Sequence, residues 1–289
     1  MQRGRRENAL ESAERPRWVQ RNQRNVAPQA FFKYSPNMDQ QFDDELLTDF
    51  SKHFFGYGSY QAPVWLVGME EGMDGGGSGV FFNEIKGRLD AWRERGKQEL
   101  EDLVGYHHAI GKADLFTEDA KIQRTWRQLI SFLLGYEGRA AVTSEAVRSY
   151  QRNRLGRTNV AESCLLELFP LPSPGIKDWY YQFHSRLEPF GSRGAYLDSL
   201  GKFRIKHLRE RIEKHRPKLV VFYGTTYRSY WEEIIAPHKF AHGVVADADT
   251  HEAKGTLYVL TAHPVAHGTR KDKFSTIGMQ SRKLTAAMA

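Results

Sequence analysis

Four short apolar runs stand out along the 289-residue chain, and longer stretches with helical periodicity separate them. A short, uniformly apolar run between Gly and Pro residues is typical of a strand that is buried on both faces of a parallel sheet. The pattern therefore predicts an α/β fold, with a four-stranded, mostly parallel sheet inside a three-layer α/β/α arrangement. The four runs are "VWLVG" (64–68), "SCLLELF" (163–169), "KLVVFYG" (218–224) and "TLYVLTAHP" (256–264).

The segments between these runs predict helices. Residues 119–135 place apolar side chains at helical spacing, and Gly135 ends the pattern. Thr143 or Ser144 is a suitable N-cap for a basic helix that extends to about Arg154. The remaining predicted helices are 84–104, 199–215 (followed by Pro217), "TTYRSYWEEII" and "FSTIGMQSRKLTAAMA".

Polar composition separates the N-terminal region from the rest of the chain. Residues 1–25 are Arg-rich and lack apolar periodicity, which predicts a disordered basic arm. We expect residues 26–289 to form a single domain, with a helical insertion at about 84–158. The chain lacks a long apolar run and a signal-peptide pattern, so we expect a cytoplasmic protein with no membrane partner and no obligate protein partner.

Charge and cysteine content narrow the functional classes. The net charge is +7 and the pI is about 9.3, with basic residues concentrated in 1–25, 121–159 and 202–216. Clusters of this kind favour partners that carry phosphate groups. Cys164 is the sole cysteine, which excludes an intramolecular disulfide, a thiolate zinc site and a four-cysteine iron–sulfur cluster.

The most unusual segment, "GMEEGMDGGG" (68–77), directly follows the first apolar run. It matches no phosphate-binding glycine motif, and its three carboxylates would repel a phosphate. Ligands of parallel α/β sheets bind beyond the carboxyl ends of the strands. We therefore expect Glu70, Glu71 and Asp74 to share a cleft with His263, which follows the fourth run.

A carboxylate opposite a histidine suits the cleavage of a C1′–N glycosidic bond, which requires no metal and no cofactor. The carboxylate stabilises the cationic sugar and positions a water molecule, and the histidine hydrogen-bonds the base oxygen that gains charge. Any of the three acidic residues could supply the carboxylate. Flipping the base out of DNA also requires a pocket with a stacking aromatic ring.

These segments resemble the motifs of the uracil-DNA glycosylase superfamily. "GMEEGMDGGGSGVFF" is similar to its first motif, which implies that Glu70 is the catalytic acid and that Phe82 or Phe81 stacks on the flipped base. "TAHPVAHGTRK" is similar to its His-Pro-Ser motif. That likeness implies that His263 acts on the base, and that a loop at 265–271 wedges into DNA with His267, Arg270 and Lys271 as contacts.

Departures from the family pattern bear on the substrate. Glu71 replaces a proline and Val265 replaces the serine of the last motif. Glu167 stands where the family often has a base-reading asparagine, with Cys164 or Asn159 as alternatives if the register slips. Gly72 replaces the tyrosine that blocks 5-substituted pyrimidines in the strictest uracil enzymes.

A carboxylate at 167 would accept from the amine of cytosine and oppose O4 of uracil. The chain therefore resembles anti-phage glycosylases that remove glucosylated hydroxymethylcytosine, and its expected partner is phage or damaged DNA. Three alternatives remain. They are an ordinary uracil-DNA glycosylase, a non-catalytic nucleic-acid-binding module, and a metal-dependent nuclease built on Asp74, Glu84 and Lys86.

Overall fold

One sheet of eight strands organises the described part of the chain, which comprises residues 40–73, 77–139, 141–175 and 177–288 of a computed structural model. The strands are β1 (Gly56–Gly58), β2 (Val64–Gly68), β3 (Leu100–Glu101), β4 (Ser163–Glu167), β5 (Leu219–Tyr223), β6 (Ala241–Val245), β7 (Ala248–Ala253) and β8 (Thr256–Thr261).

The strand order is β3-β1-β4-β2-β5-β8-β7-β6. The four predicted strands are the adjacent central ones, and they run parallel to one another. Strands β2, β5 and β8 are buried along their whole length, which explains their uniformly apolar sequences. The α/β class is therefore confirmed.

The expected sheet of four strands was wrong, because two strands extend it on each side. Strands β1 and β3 are three and two residues long, too short for a periodic pattern. Strand β6 is exposed over four of its five residues, and the side chains of β7 are mostly polar. Antiparallel strands at a sheet edge need no continuous apolar run, so the sequence gives little sign of them.

Eight α-helices accompany the sheet within the described ranges. They are α1 (Asp44–His53), α2 (Gly77–Glu94), α3 (Leu103–Ala109), α4 (Arg124–Tyr136), α5 (Ser144–Asn153), α6 (Arg193–His215), α7 (Arg228–Ile234) and α8 (Lys273–Ala287). Thr143 is the N-cap of α5, and its side chain accepts a hydrogen bond from Ala146 N at 3.1 Å, as expected. The predicted helix at 84–104 was misplaced, because Gly96 and Lys97 adopt positive φ and end α2 before β3 begins.

Helices α4 and α8 approach each other backbone to backbone. A Cβ atom at Gly135 would lie 2.2 Å from the carbonyl oxygen of Ser275, and one at Gly278 would lie 2.1 Å from that of Phe132. These two glycines therefore permit a helix crossing that any side chain would prevent.

A buried arginine fixes the point at which β4 ends. Arg204, on α6, donates to the backbone carbonyls of Glu167 at 2.9 Å and of Leu168. The same guanidinium donates to the carbonyls of Ser51 and Phe54 at 2.9 Å, at the end of α1. Because one cation satisfies carbonyls from two elements, the backbone at Glu167 is held rigidly.

The predicted insertion corresponds to the segment between β2 and β4, which contains α2, β3 and α3 to α5. The predicted arm at 1–25 lies outside the described residues. None of the described helices combines the length and the apolar character needed to cross a membrane.

Candidate functional site

Polar side chains lie together at one edge of the sheet, where strands β2, β4 and β5 end and the turn after β8 begins. Gly68 and Glu167 are paired neighbours on β2 and β4. The Tyr223 hydroxyl, at the end of β5, donates to Glu167 Oε1 at 3.1 Å. The Tyr223 ring lies 5.8 Å from the ring of His263, just beyond β8. We call Glu70, Glu167, Tyr223 and His263 the carboxyl edge.

Gly68 is required by the close packing of this edge. A Cβ atom at this position would lie 2.3 Å from the Tyr223 hydroxyl and 2.5 Å from Glu167 Oε2. Both distances are shorter than any van der Waals contact. The glycine that opens the acidic segment therefore lets two buried side chains reach over the backbone of β2.

Glu70 lies in a partly desolvated position two residues beyond β2. Its side chain is 14% exposed, and its Oε2 accepts a hydrogen bond of 2.5 Å from Nη1 of Arg193, which is 12% exposed. Burial raises the pKa of Glu70, and the Arg193 guanidinium counteracts this only in part. Arg193 is the first residue of α6, so a distant helix positions this carboxylate.

Glu71 has a different environment from its neighbour. Its Oε2 accepts hydrogen bonds from Arg88 Nη1 at 2.9 Å and from the Tyr57 hydroxyl at 3.2 Å, and Oε1 lies 3.8 Å from His107 Nε2. Burial alone would raise the pKa of Glu71, but the Arg88 guanidinium, with smaller contributions from His107 and Lys112, outweighs it and holds this pKa below its usual value. Glu71 therefore has a structural role here.

Glu84 extends this arrangement on the opposite side of Arg88. Arg88 is 3% exposed and donates to Glu84 at 3.2 Å, and Lys112 donates to the same Glu84 oxygen at 2.6 Å. We call Glu71, Arg88, Glu84, Lys112, His107 and Tyr57 the support network. Its cations and carboxylates are matched, as a buried charged cluster requires.

The rest of the acidic segment is less constrained. Asp74 lies outside the described residues. Gly72 forms a parallel bridge with Ser173, which joins this segment to the "PLPSPG" segment after β4. A Cβ atom at Gly72 would meet no described atom within 4 Å, so the space beside it is open.

Glu167 stands at the last position of β4, where the residue is partly exposed but one of its carboxyl oxygens is buried. Its Oε2 is inaccessible and has no hydrogen-bond partner among the described residues. Burial raises the pKa of Glu167 well above its usual value, and the negative charges of Glu71 and Glu70 raise it further. The alternatives Cys164 and Asn159 lie elsewhere, in the buried middle of β4 and at an exposed position before it.

His263 is held as a neutral hydrogen-bond donor. The backbone N–H of Val265 donates to its Nδ1 at 3.4 Å, which leaves Nε2 to carry the ring proton. Burial lowers the pKa of His263 below its usual value. The imidazole can therefore donate from Nε2 without first becoming cationic.

Phe81 and Phe82 are packed inside the protein on α2. Phe82 stacks on Phe42 with ring centroids 4.9 Å apart, and Phe81 contacts Tyr181 edge-on at 4.8 Å. Both rings are almost completely buried. These contacts account for them as core residues, so stacking on a base would require a change in this packing or a ring from elsewhere.

The predicted wedge loop is exposed at most of its positions. His267, Arg270 and Lys271 all face solvent beyond β8. Arg270 forms an ion pair of 2.9 Å with Asp247, in the turn between β6 and β7. The loop therefore projects from the same end of the sheet as His263.

Several of the arginines in the basic segment 121–159 are paired with carboxylates of the protein itself. The pairs are Arg148 with Glu145 (3.1 Å), Arg152 with Glu118 (3.4 Å), Arg154 with Glu137 (2.6 Å) and Arg157 with Asp102 (2.8 Å). Much of this segment's positive charge is therefore neutralised by carboxylates of the protein itself. Its excess of arginine is weaker support for DNA binding than the sequence suggested.

The sequence did not point to Arg193 or Tyr223 as site residues. Arg193 is separated from Glu70 by 123 positions, so no local spacing reveals the pair. Tyr223 belongs to an apolar strand and looks like an ordinary core residue. Within the described residues, no group of three or more His, Cys, Asp or Glu side chains could hold a metal ion. No protein-family model and no curated protein matches this chain.

Proposed function

We propose that this protein is a DNA glycosylase with a uracil-DNA-glycosylase-like fold. It flips a base out of DNA and hydrolyses the N-glycosidic bond without a cofactor. The observation that carries this proposal is that a partly desolvated carboxylate, Glu70, and an imidazole, His263, each follow the carboxyl end of a central parallel strand. The resemblance of the segments around these two residues to the superfamily motifs supports the same conclusion.

In the proposed reaction, the C1′–N bond breaks and its electron pair leaves with the base. The negative charge of Glu70 stabilises the positive charge that develops on the sugar. Glu70 also orients a water molecule and accepts its proton as the hydroxyl oxygen bonds to C1′. His263 donates a hydrogen bond from Nε2 to the base oxygen that gains negative charge. The products are the free base and an abasic site.

A modified cytosine is the first candidate for the excised base. In the resemblance to the superfamily, Glu167 stands at the base-reading position, and the open space beside Gly72 would accommodate a substituent at C5. Such a substrate implies a defence against phages that carry modified DNA. Uracil is the second candidate, because Glu167, once protonated, can donate a hydrogen bond to O4.

The nuclease alternative has less support. Glu84 and Lys86 lie on helix α2 and not on a strand. Glu84 already binds Arg88 and Lys112, and Lys86 forms an ion pair of 2.5 Å with Asp90. These contacts account for both side chains as structural groups. A non-catalytic DNA-binding module remains the alternative that the following experiment addresses.

The test uses oligonucleotides that carry uracil, cytosine, 5-hydroxymethylcytosine or glucosylated hydroxymethylcytosine, as single strands and as duplexes. Each is incubated with the wild-type protein or the Glu70→Gln variant in EDTA, and abasic sites are detected by alkaline cleavage. We expect one base to be excised by the wild type and retained by the variant. DNA binding without any abasic product would contradict the proposal and favour a binding module.

A further inference from the structure

A cleft of about 370 Å³ lies at the amino end of the parallel strands, opposite the carboxyl edge. The last turns of α6, the chain just after α7 and the β7–β8 turn form its walls. Its volume is within the range of pockets that hold small molecules. We call it the amino-end cleft, and the side chains that border it include Arg209, Arg216, Ile235, His238, Lys254 and Tyr258.

The amino-end cleft is separate from the site that contains Glu70. Strand β8 begins at Thr256, which borders the cleft, and ends at Thr261, two residues before His263. About 17 Å of extended strand therefore separates the two sites. A ligand in this cleft would not touch the carboxyl edge.

Arg209 presents an unpaired guanidinium edge to the cleft. The residue is half-buried, and its Nε and Nη2 donate to the backbone carbonyls of Ile234, at 3.1 Å, and of Glu233. These bonds hold the end of α7 against α6. Its Nη1 has no hydrogen-bond partner in the described part of the chain, and no carboxylate there forms an ion pair with Arg209.

The other charged groups leave the cleft with a net positive charge. Arg216, exposed just beyond α6, forms no ion pair with any described residue. Lys254 lies 3.5 Å from Glu213, the single carboxylate among the described residues that border the cleft. Three permanent cations against one carboxylate attract an anion.

The remaining wall of the cleft is apolar and aromatic. Ile234, Ile235 and Tyr258 are buried side chains that border the cleft, so they form its floor. His238 also borders it, and one face of its ring packs on the ring of His251, with centroids 4.5 Å apart and planes at 25°. This contact holds the His238 imidazole as a flat wall against which a planar ring can stack. An inorganic anion would leave these surfaces without a partner.

We propose that the amino-end cleft binds a nucleoside di- or triphosphate, with its phosphates on Arg209 and Arg216 and its base against His238. The two arginines lie two helix turns, about 10 Å, apart along α6, a separation that their long side chains can bridge onto adjacent phosphate groups. This inference does not depend on the proposed glycosylase function, because that reaction belongs to the opposite end of the sheet.

Binding is tested by isothermal titration calorimetry of the full-length protein with ADP, GDP, CDP and UDP. Pyrophosphate and the matching nucleoside are titrated as the two halves of the ligand. We expect at least one nucleotide to bind with a Kd below about 1 mM, and each half to bind at least about tenfold more weakly. No saturable binding of any of the four nucleotides would overturn the inference.

Two variants separate the contributions of charge and ring. Arg216→Gln should weaken the binding of both nucleotide and pyrophosphate by at least about tenfold, because a charge-assisted contact is lost. His238→Ala should weaken the nucleotide and leave pyrophosphate unchanged. Lys214→Gln, which removes an exposed cation of α6 that does not border the cleft, is the matched control and should bind as the wild type does. Arg209 is left intact because it also holds the end of α7.

The same titrations distinguish this cleft from other places where a nucleotide binds. Binding that withstands Arg216→Gln and His238→Ala but is lost in His263→Ala would locate the nucleotide at the carboxyl edge and overturn the inference. Equal weakening by Arg216→Gln and Lys214→Gln would show attraction to general surface charge, which also overturns it. Nucleotide binding at the cleft without excision of any base would contradict the proposed function alone.

Discussion

Glu70 and Glu71 are adjacent in sequence but belong to two regions with opposite electrostatics. In the support network, Glu71 faces Arg88 and His107, and its pKa is lowered. At the carboxyl edge, burial raises the pKa of Glu70 and, more strongly, that of Glu167. The support network pairs its carboxylates with cations. The carboxyl edge holds carboxyl groups whose desolvation is only partly offset by neighbouring positive charge.

This difference separates residues that stabilise the fold from residues that are suited to a reaction. A matched buried network is explained by the fold it holds together, because breaking it leaves an isolated charge. Carboxyl groups with raised pKa values cost stability, and proteins concentrate such groups at functional sites. The comparison therefore favours Glu70 over Glu71 as the carboxylate of the proposed reaction.

The largest effect that we expect is on catalysis at Glu70. Glu70→Gln keeps the shape and an acceptor for Arg193 but removes the negative charge. Excision should slow about 1,000-fold, because the charge that stabilises the cationic sugar is lost. Single-turnover assays measure the rate, and urea unfolding should show little change in stability. A variant that keeps the wild-type rate would contradict the assignment.

His263 should show the next largest effect. His263→Ala removes the Nε2 donor, and excision should slow by about 100-fold. Since this side chain is partly exposed, the free energy of unfolding should stay within about 0.5 kcal/mol of the wild type. Equal rates for the variant and the wild type would exclude His263 from the reaction.

A substitution in the support network should lower the free energy of unfolding. Glu71→Gln leaves Arg88 buried with only Glu84 as its anionic partner, and we expect a loss of about 3 kcal/mol in urea unfolding. Glu45→Gln, at an exposed site, is the matched control and should change stability by less than about 0.5 kcal/mol. A Glu71 variant as stable as this control would show that the network is not a support.

The pH dependence of stability follows from the same contrast. The pKa of Glu71 is lowered in the folded state, so its contribution is complete above its unfolded-state pKa near 4.5. That contribution is lost as the pH falls through the lower folded-state pKa. The stability difference between the wild type and Glu71→Gln should therefore shrink in acid.

The four central strands could be predicted from the sequence for a physical reason. Strands buried on both faces must be apolar throughout, so their positions could be predicted. The carboxyl ends of parallel strands share one edge, so the segments of Glu70, Glu167 and His263 could be expected at the same end of the sheet.

Other features could not be predicted, because they depend on contacts between distant segments. The pairing of Arg193 with Glu70, and of Arg88 with Glu71, sets the electrostatic environment of each carboxylate, yet neither pair has a local sequence signature. The raised pKa of Glu167 depends on the burial of its carboxyl group, to which the packing of Tyr223 over Gly68 contributes. Phe82 was expected to stack on a base, but its position on α2 places it against Phe42.

Arg193 should have a smaller effect, visible mainly in the pH profile. Its guanidinium lowers the pKa of Glu70, so Arg193→Gln should raise that pKa and move the acid side of the excision profile to higher pH. Arg193→Lys keeps a cation and should restore most of the wild-type profile. If the excision rate falls at the same acidic pH in all three proteins, Arg193 does not control the pKa of Glu70.

The smallest effect should come from the wedge loop. Arg270→Ala and Lys271→Ala each remove one expected phosphate contact, so the slope of log affinity against log salt should fall by about 1 for each. Asp247→Asn releases Arg270 from its ion pair and should strengthen DNA binding slightly. Salt titrations of fluorescent oligonucleotides measure both, and unchanged slopes would move the DNA-binding surface elsewhere.

The most direct test of the account is to identify the released product. The wild-type protein is incubated in EDTA with the oligonucleotide that carries its preferred base, and the small molecules are analysed by mass spectrometry. We expect a free base, an intact sugar–phosphate strand with one abasic site, and no free base with Glu70→Gln. Release of a nucleotide, or of no small molecule from any modified or unmodified pyrimidine, would contradict it.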